Sequence, residues 1–314
     1  MSKPDVLVMG ALPQWDMAAL EERFTLHRYW EAADPDALIS AQAGNIRAIA
    51  TRGDLGADAA LMKRLPELEM ISCFGVGVDG IDLDHARANS IRVANTPDVL
   101  TDDVADMGVA LILAAARRIP QGDAHVRSGK WLDEGAMGLT SRVTGKRLGI
   151  LGMGRIGAAL ARRMRGFDMS VAYHNRTPRE GIDATYMETP QALAAASDFL
   201  VISSAGGEGT RNIVDASVLE ALGPQGVLVN ISRGSTVDEA ALIDALAQKR
   251  IGGAGLDVFA SEPDMDRRLL EFENVVVQPH HASGTVETRK AMGKLVLDNL
   301  VAHFEGAELL TPVV

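Results

Sequence analysis

Short runs of β-branched and apolar residues alternate with longer Ala/Leu-rich amphipathic stretches along most of the chain. Two series of such runs occur, at 5–9, 48–50, 70–73 and 92–94, and then at 147–151, 169–173, 199–202, 227–230, 253–257 and 275–277. This alternation is typical of parallel sheets whose strands are joined by helices. We therefore predict an α/β protein with two Rossmann-like domains, each a doubly wound parallel sheet, and a cleft between them.

The order of these series predicts a discontinuous first domain. A stretch with helical spacing, 102–118, connects the two series, and 119–142 follows as an arm without clear periodicity. A last helix over 285–304 comes after the final strand, while the first series still needs helical cover. We predict a substrate domain over 1–97 plus 285–314 and a dinucleotide-binding domain over 98–284, which contains the arm.

Composition excludes several classes of protein. The single cysteine, Cys73, cannot form an internal disulfide, and no Cys/His cluster has the spacing of a metal site. No segment reads as a signal peptide or a membrane helix. A net charge of −11 opposes binding to nucleic acid or to an anionic membrane. We expect a cytoplasmic protein that binds no metal. Because the protein is acidic overall, an anionic ligand would need a binding pocket that is locally positive.

A glycine-rich turn follows the first run of the second series. Gly152, Gly154 and Gly157 have GxGxxG spacing, come directly after an apolar strand and open an Ala/Leu-rich helix that begins with Arg155 and Ile156. Such glycines allow the backbone to approach a pyrophosphate, and the helix N-terminus offers free N–H groups. The alternative is a turn that only packs helix on strand. The context favours dinucleotide binding.

The end of the next strand indicates which dinucleotide is bound. Enzymes specific for NAD place an acidic residue there, against the ribose 2′-hydroxyl. This chain instead has Asn175, Arg176 and Thr177. A guanidinium can pair with a 2′-phosphate, so the sequence predicts NADP, with NADPH preferred over NADH. The alternative interpretation of Arg176 is a solvated loop residue.

Three ionisable residues stand just after successive strands of the second series, where strand ends line the ligand crevice: Arg233, Glu262 and His280. A guanidinium can hold the carboxylate of a 2-oxo acid and polarise its carbonyl. An imidazolium can protonate the oxygen that becomes alkoxide-like after hydride transfer. An ionised glutamate beside the histidine would favour the imidazolium and orient the ring.

With these residues in order, the chain resembles the D-isomer-specific 2-hydroxyacid dehydrogenases over nearly its whole length. The phrases that carry the resemblance include Phe74-Gly-Val-Gly-Val-Asp79, Asn95-Thr-Pro97, Ser128-Gly-Lys-Trp131 and Gln278-Pro-His280-His. Within the family it is most similar to the NADPH-dependent glyoxylate/hydroxypyruvate reductases, including hydroxyphenylpyruvate-reductase-like members. The resemblance implies reduction of a small 2-oxo acid to the D-2-hydroxy acid by a homodimer whose arm reaches across to its partner.

The resemblance also implies roles for individual residues. His280 is the catalytic histidine rather than His281, and Arg233 with the amides of Val76 and Gly77 and with Ser283 would bind substrate. Further residues that the resemblance places at the cofactor are Ser203, Thr210, Ile231 and Asp257. The alternative for Asp257 is a capping role. For the segment 74–80 the alternative is a simple strand-to-helix turn, in which Asp79 only caps the helix that follows. The segment from Ser203 to Thr210 departs from the Pro-Leu-Thr phrase usual in relatives, so the resemblance leaves the contacts to the nicotinamide ribose open.

Two other functions stay open at this point. Some relatives keep the fold and the three ionisable residues but act as dinucleotide-sensing corepressors, although this chain lacks the extra tails that such a role would want. A short phosphoglycerate-dehydrogenase-like enzyme is the second alternative. An assay of turnover separates a sensor from an enzyme.

Overall fold

The computed structural model describes residues 3–314, and the βα alternation forms two parallel sheets. The strands are β1 (Asp5–Val8), β2 (Thr25–Arg28), β3 (Ile46–Arg52), β4 (Met70–Phe74), β5 (Arg92–Ala94), β6 (Arg147–Leu151), β7 (Ser170–His174), β8 (Thr185–Tyr186), β9 (Phe199–Ile202), β10 (Val227–Asn230), β11 (Gly253–Leu256) and β12 (Val275–Val277). The first five form one sheet, in the order β2-β1-β3-β4-β5, and the others form the second, in the order β12-β11-β10-β9-β6-β7-β8.

The helices lie between these strands. They are α1 (Gln14–Arg23), α2 (Pro35–Gln42), α3 (Ala59–Lys63), α4 (Leu83–Ala88), α5 (Thr101–Arg117), α6 (Ile119–Arg127), α7 (Lys130–Asp133), α8 (Arg155–Met164), α9 (Pro190–Ala195), α10 (Ala216–Leu222), α11 (Glu239–Ala247) and α12 (Val286–Phe304). Many begin after an Asp or Thr whose side chain accepts a first-turn N–H, which satisfies a donor that the helix leaves unpaired. These capping residues are Asp34, Asp58, Asp82, Thr189, Asp215, Asp238 and Thr285.

The chain divides into two compact units, 1–100 with 283–314 and 101–282. In the first unit, α12 packs on β4, where Ser72 Oγ donates to the carbonyl of Val296 at 3.3 Å. The C-terminus completes this unit, because the amide of Val93 donates to the carbonyl of Val314 at 3.1 Å. In the second unit, α5 packs on β10, β11 and α8. Both units bury apolar strand residues in a core of their own.

The structure contains two strands and two helices that the sequence analysis did not predict. The two strands are β2 and β8, and each is the outermost strand of its sheet. An edge strand has one side exposed to solvent, so it can form from a sequence that is partly polar and lacks a clear apolar run. The expectation that 119–142 lacks regular structure is wrong for its first half, which forms α6 and α7. Arg118 takes a left-handed conformation with φ of 50°, which ends α5 and lets α6 start in a new direction.

Candidate active site

The three predicted catalytic residues lie at one edge of the second sheet. Arg233 follows β10, Glu262 lies in the loop after β11, and His280 lies in the loop after β12. These strands are neighbours and run parallel, so their carboxyl ends meet at the same edge of the sheet. The topology therefore brings the loops of the three residues together.

His280 and Glu262 form a close pair. His280 Nδ1 lies 2.6 Å from Glu262 Oε2, while Glu262 Oε1 accepts the backbone N–H of Phe259 at 2.9 Å. The contact occupies Nδ1, so proton exchange with a substrate falls to Nε2. Burial by itself raises the pKa of Glu262, but the hydrogen bonds from His280 and Phe259 and the charges of His280 and Arg233 lower the pKa by more. The carboxylate thus stays ionised beside the imidazole.

Asp257 shapes the loop that carries His280. Its buried carboxylate accepts the backbone N–H groups of His281 and Ala282 at 2.7 and 3.0 Å, and its own carbonyl accepts the N–H of His280 at 2.8 Å. Burial raises the pKa of Asp257, against the effect of these two N–H groups. His280 itself has a φ of 49°, a conformation that costs free energy and that these bonds enforce. The predicted contact between Asp257 and the cofactor stays a prediction.

Buried polar groups fix the backbone of Arg233. Asn230 Nδ2 and Thr236 Oγ1 both donate to the carbonyl of Arg233, at 2.9 and 2.6 Å. Position 234 must be glycine because the main chain of Phe259 lies so close that a Cβ would overlap it. Sequence reasoning missed Asn230 and Thr236. The available signal was an asparagine that ends an otherwise apolar strand.

The glycine-rich turn after β6 has the geometry of a phosphate-binding turn. Gly152 has a φ of 101°, and a Cβ on Gly157 would stand 2.5 Å from the carbonyl oxygen of Gly152. Gly154 immediately precedes α8, whose first residues are the exposed Arg155 and the half-buried Ile156. No neighbouring atom within 4 Å faces a Cβ built on Gly154, so this side of the turn is open in the described residues. The turn and the N-terminus of α8 fit the pyrophosphate of a dinucleotide.

The segment after β7 is tied to this turn. Asn175 Oδ1 accepts the N–H of Met153 at 2.7 Å, and Arg179 Nη1 donates to the carbonyl of Met153 at 2.5 Å. Arg176 and Thr177 lie on the exposed loop between these two anchors. Sequence reasoning missed Arg179. A second arginine three residues after Arg176, beyond a proline, was the signal that could have found it.

The remaining predicted cofactor residues mainly contact protein. Ser203 Oγ donates to the carbonyl of Gly152 at 2.8 Å, and Thr210 Oγ1 donates to the carbonyl of Ala205 at 2.7 Å. Ile231 is buried, with its Cδ1 atom 3.1 Å from where a Cβ on Gly108 of α5 would stand. Ser203 therefore shapes the glycine-rich turn, and Ile231 packs on α5.

The predicted substrate residues other than Arg233 belong to the first unit. Val76 and Gly77 lie in the loop after β4, where Asn95 Nδ2 donates to the carbonyl of Val76 at 2.8 Å. Cys73 Sγ lies 3.6 Å from the carbonyl oxygen of Gly77. Ser283 is half-buried in the loop that leads into α12. The loop after β4 is thus anchored within its own unit.

Within 3–314, no group of three or more His, Cys, Asp or Glu is arranged to hold a metal ion. Over the same range, every helix is too short or too polar to cross a membrane.

Comparison with known proteins decides the family. Residues 109–282 match the family of the D-isomer specific 2-hydroxyacid dehydrogenase, NAD binding domain. The chain belongs to this family.

Similar members cover its full length. Glyoxylate/hydroxypyruvate reductase A of Arabidopsis thaliana is 48% identical, over 100% of both chains. Hydroxyphenylpyruvate reductase of Plectranthus scutellarioides is 47% identical, over 98% of both chains. The structure of the NADPH-dependent glyoxylate/hydroxypyruvate reductase of Sinorhizobium meliloti with NADP and malonate is 47% identical and has a TM-score of 0.94, over 100% of this chain and 97% of that one. The predictions of the family, the fold class and a 2-hydroxyacid dehydrogenase activity are thereby confirmed.

Proposed function

We propose that this 2-hydroxyacid dehydrogenase uses NADPH to reduce a small 2-oxo acid, glyoxylate or hydroxypyruvate, to the D-2-hydroxy acid. The observation that carries the proposal is the His280–Glu262 pair at 2.6 Å, which joins the loops after β11 and β12 on the same sheet edge as the Arg233 loop and the glycine-rich turn. An acid for the oxygen and a cation for the carboxylate thus share a sheet edge with a dinucleotide-binding turn.

Each residue has a distinct part in this reaction. NADPH, when bound, supplies the hydride. The Arg233 guanidinium binds the substrate carboxylate and stabilises negative charge on the carbonyl oxygen. His280 Nε2 donates a proton to that oxygen as it becomes an alkoxide, and the same nitrogen accepts the proton in the reverse reaction. Glu262 holds the ring through Nδ1 and stabilises its protonated form.

Cofactor choice follows from the loop after β7. This loop contains the exposed Arg176 and Arg179 and has no acidic residue from 173 to 179. Arg179 is held against the turn by Met153, so its charge lies beside the position proposed for the adenosine phosphates. Two guanidinium groups favour a 2′-phosphate over a hydroxyl. Asn175 and Thr177 add polar groups to the same loop.

The substrate contacts proposed for Val76, Gly77 and Ser283 rest on the family pattern. The anchored carbonyl of Val76 supports this assignment, because it fixes the loop in which the amide of Gly77 lies. Backbone N–H groups of this loop would then hold the substrate carboxylate together with the Arg233 guanidinium.

We also propose a cytoplasmic homodimer. The arm over 119–142 exposes several large apolar side chains, as a surface that pairs with a second copy would. They are Ile119, Val126, Trp131, Leu132 and Leu139. The sequence has a single cysteine, Cys73, which is buried and cannot form an internal disulfide; this fits a reducing compartment.

An absorbance assay of NADPH and NADH oxidation tests the proposal, with glyoxylate, hydroxypyruvate and hydroxyphenylpyruvate as substrates. We expect turnover of the first two substrates with NADPH and a lower kcat/KM with NADH. A protein that binds NADPH without turnover of any substrate would be a sensor rather than a reductase. Faster turnover of hydroxyphenylpyruvate would correct the substrate size, and equal use of NADH would refute the role of Arg176.

A further inference from the structure

One buried hydroxyl near the glycine-rich turn has no partner. Among the described residues 3–314, Ser204 Oγ is buried and makes no hydrogen bond, although the residue as a whole is half-buried. Neighbouring serines behave differently, since Ser203 and Ser232 both donate to backbone carbonyls. A buried hydroxyl without a partner costs free energy, so such a group in a native protein calls for an explanation.

Ser204 joins the glycine-rich turn to the loop of the catalytic arginine. A Cβ on Gly152 would overlap the main-chain nitrogen of Ser204 and stand 2.5 Å from its Cα, so the two residues are in close contact. On its other side, Ser232 Oγ donates to the carbonyl of Ser204. Ser232 directly precedes Arg233. The unpartnered hydroxyl therefore lies between the phosphate-binding turn and the catalytic loop.

Sheet order indicates which half of a dinucleotide would pass this hydroxyl. The glycine-rich turn follows β6, with β7 on one side and β9 and β10 on the other. The loop after β7 carries the residues proposed for the 2′-phosphate, and the loop after β10 carries Arg233. A dinucleotide bound across this edge has its adenosine toward β7 and its nicotinamide toward β10. Ser204 follows β9, on the nicotinamide side.

We propose that Ser204 Oγ is a hydrogen-bonding group for the nicotinamide-ribose half of the bound dinucleotide. The inference rests on the proposed function in requiring a dinucleotide, but not in requiring NADPH or turnover. It assigns a binding group to the very segment, Ser203 to Thr210, that departs from the family phrase. A ligand hydroxyl or phosphate oxygen near this atom would satisfy the buried Oγ.

The test is Ser204→Ala, with dissociation constants measured by fluorescence titration and thermal midpoints measured without ligand. Loss of one neutral hydrogen bond should weaken NADPH and NADH binding alike, by about two- to tenfold. Adenosine 2′,5′-bisphosphate, which lacks the nicotinamide half, should bind as it does to the wild type. Without ligand, the variant should melt at the same temperature or higher, because an unsatisfied group has been removed.

Ser197→Ala is the matched control. Ser197 Oγ is buried like Ser204 Oγ but donates to the carbonyl of Leu193 at 2.6 Å, at the amino end of β9. This variant should melt at a lower temperature and bind NADPH like the wild type.

Three results would overturn the assignment: unchanged NADPH and NADH affinity in Ser204→Ala, a loss of thermal stability like that of the control, or equal weakening of adenosine 2′,5′-bisphosphate. A wild-type protein that binds NADH but not NADPH refutes the proposed cofactor, and the NADH titration then decides the role of Ser204. If neither dinucleotide binds, both proposals fail.

Discussion

Asp16 is a buried carboxyl whose removal should stabilise the first unit near neutral pH. It lies in the first turn of α1 with its carboxylate against Gly293 of α12, and its Oδ2 atom is buried without a partner among residues 3–314. Burial raises the pKa of Asp16 from 3.8 to about 6, despite a hydrogen bond with the Trp15 side chain that lowers it. The folded state thus favours the protonated carboxyl.

The sign and size of the effect follow from this raised pKa. The unfolded chain ionises Asp16 more readily, so the destabilisation is absent at low pH and develops as the pH rises between 3.8 and about 6. A shift of about two pKa units corresponds to ~3 kcal/mol above that range. Asp16→Asn removes this term but also a favourable charge at a helix N-terminus, worth about 0.5 kcal/mol. The net stabilisation should be roughly 2 kcal/mol near neutral pH.

Urea unfolding followed by tryptophan fluorescence measures this difference, because Trp15 adjoins the substituted residue. We expect Asp16→Asn to raise the unfolding midpoint at about pH 7.5 and to match the wild type within ~1 kcal/mol at about pH 4. Glu22→Gln, which removes a charge from the exposed face of the same helix, should change stability by less than ~0.5 kcal/mol at either pH. A stabilisation of equal size at both pH values, or a loss of stability at the higher one, would refute the reasoning.

Three further substitutions test the active site. Arg176→Asp should weaken NADPH relative to NADH by about 1.5–3 kcal/mol in Kd, the range for hydrogen bonds to charged groups, and an unchanged ratio would reject the pairing. His280→Ala should lower kcat by about a hundredfold or more with NADPH affinity unchanged, as measured by titration and steady-state kinetics, and full activity would remove its assignment as the acid. Gly234→Ala should lower kcat/KM for the 2-oxo acid while NADPH still binds, because its Cβ would push the Arg233 loop away from Phe259; wild-type kinetics would show that the close approach is dispensable.

The sequence was most informative at positions where the local geometry allows only one residue type. The glycine-rich turn could be predicted because only glycine tolerates the φ of 101° at position 152 and the approach of the helix at position 157. The positions of Arg233, Glu262 and His280 could be predicted because parallel strands end at one edge of a sheet. Local spacing was enough in both cases.

The missed features depend on contacts between distant segments. Asn230 and Thr236 support Arg233 through its carbonyl, and a polar residue at a strand end does not reveal which carbonyl it will bond. Asp257 was assigned to the cofactor by resemblance, whereas its bonds to the loop of His280 become visible only after folding. The helices in the arm were missed because α6 is only nine residues long and contains Pro120 and Gly122, which interrupt the helical pattern in the sequence.

The most direct test of the proposed chemistry follows a labelled hydride into the product. Hydroxypyruvate is reduced with NADPH deuterated at the transferring position, and the glycerate is analysed for label position and chirality. We expect deuterium at the second carbon of D-glycerate, since Arg233 and His280 fix which face of the ketone receives the hydride. L-glycerate, a racemic product, or glycerate without label at that carbon would contradict the account.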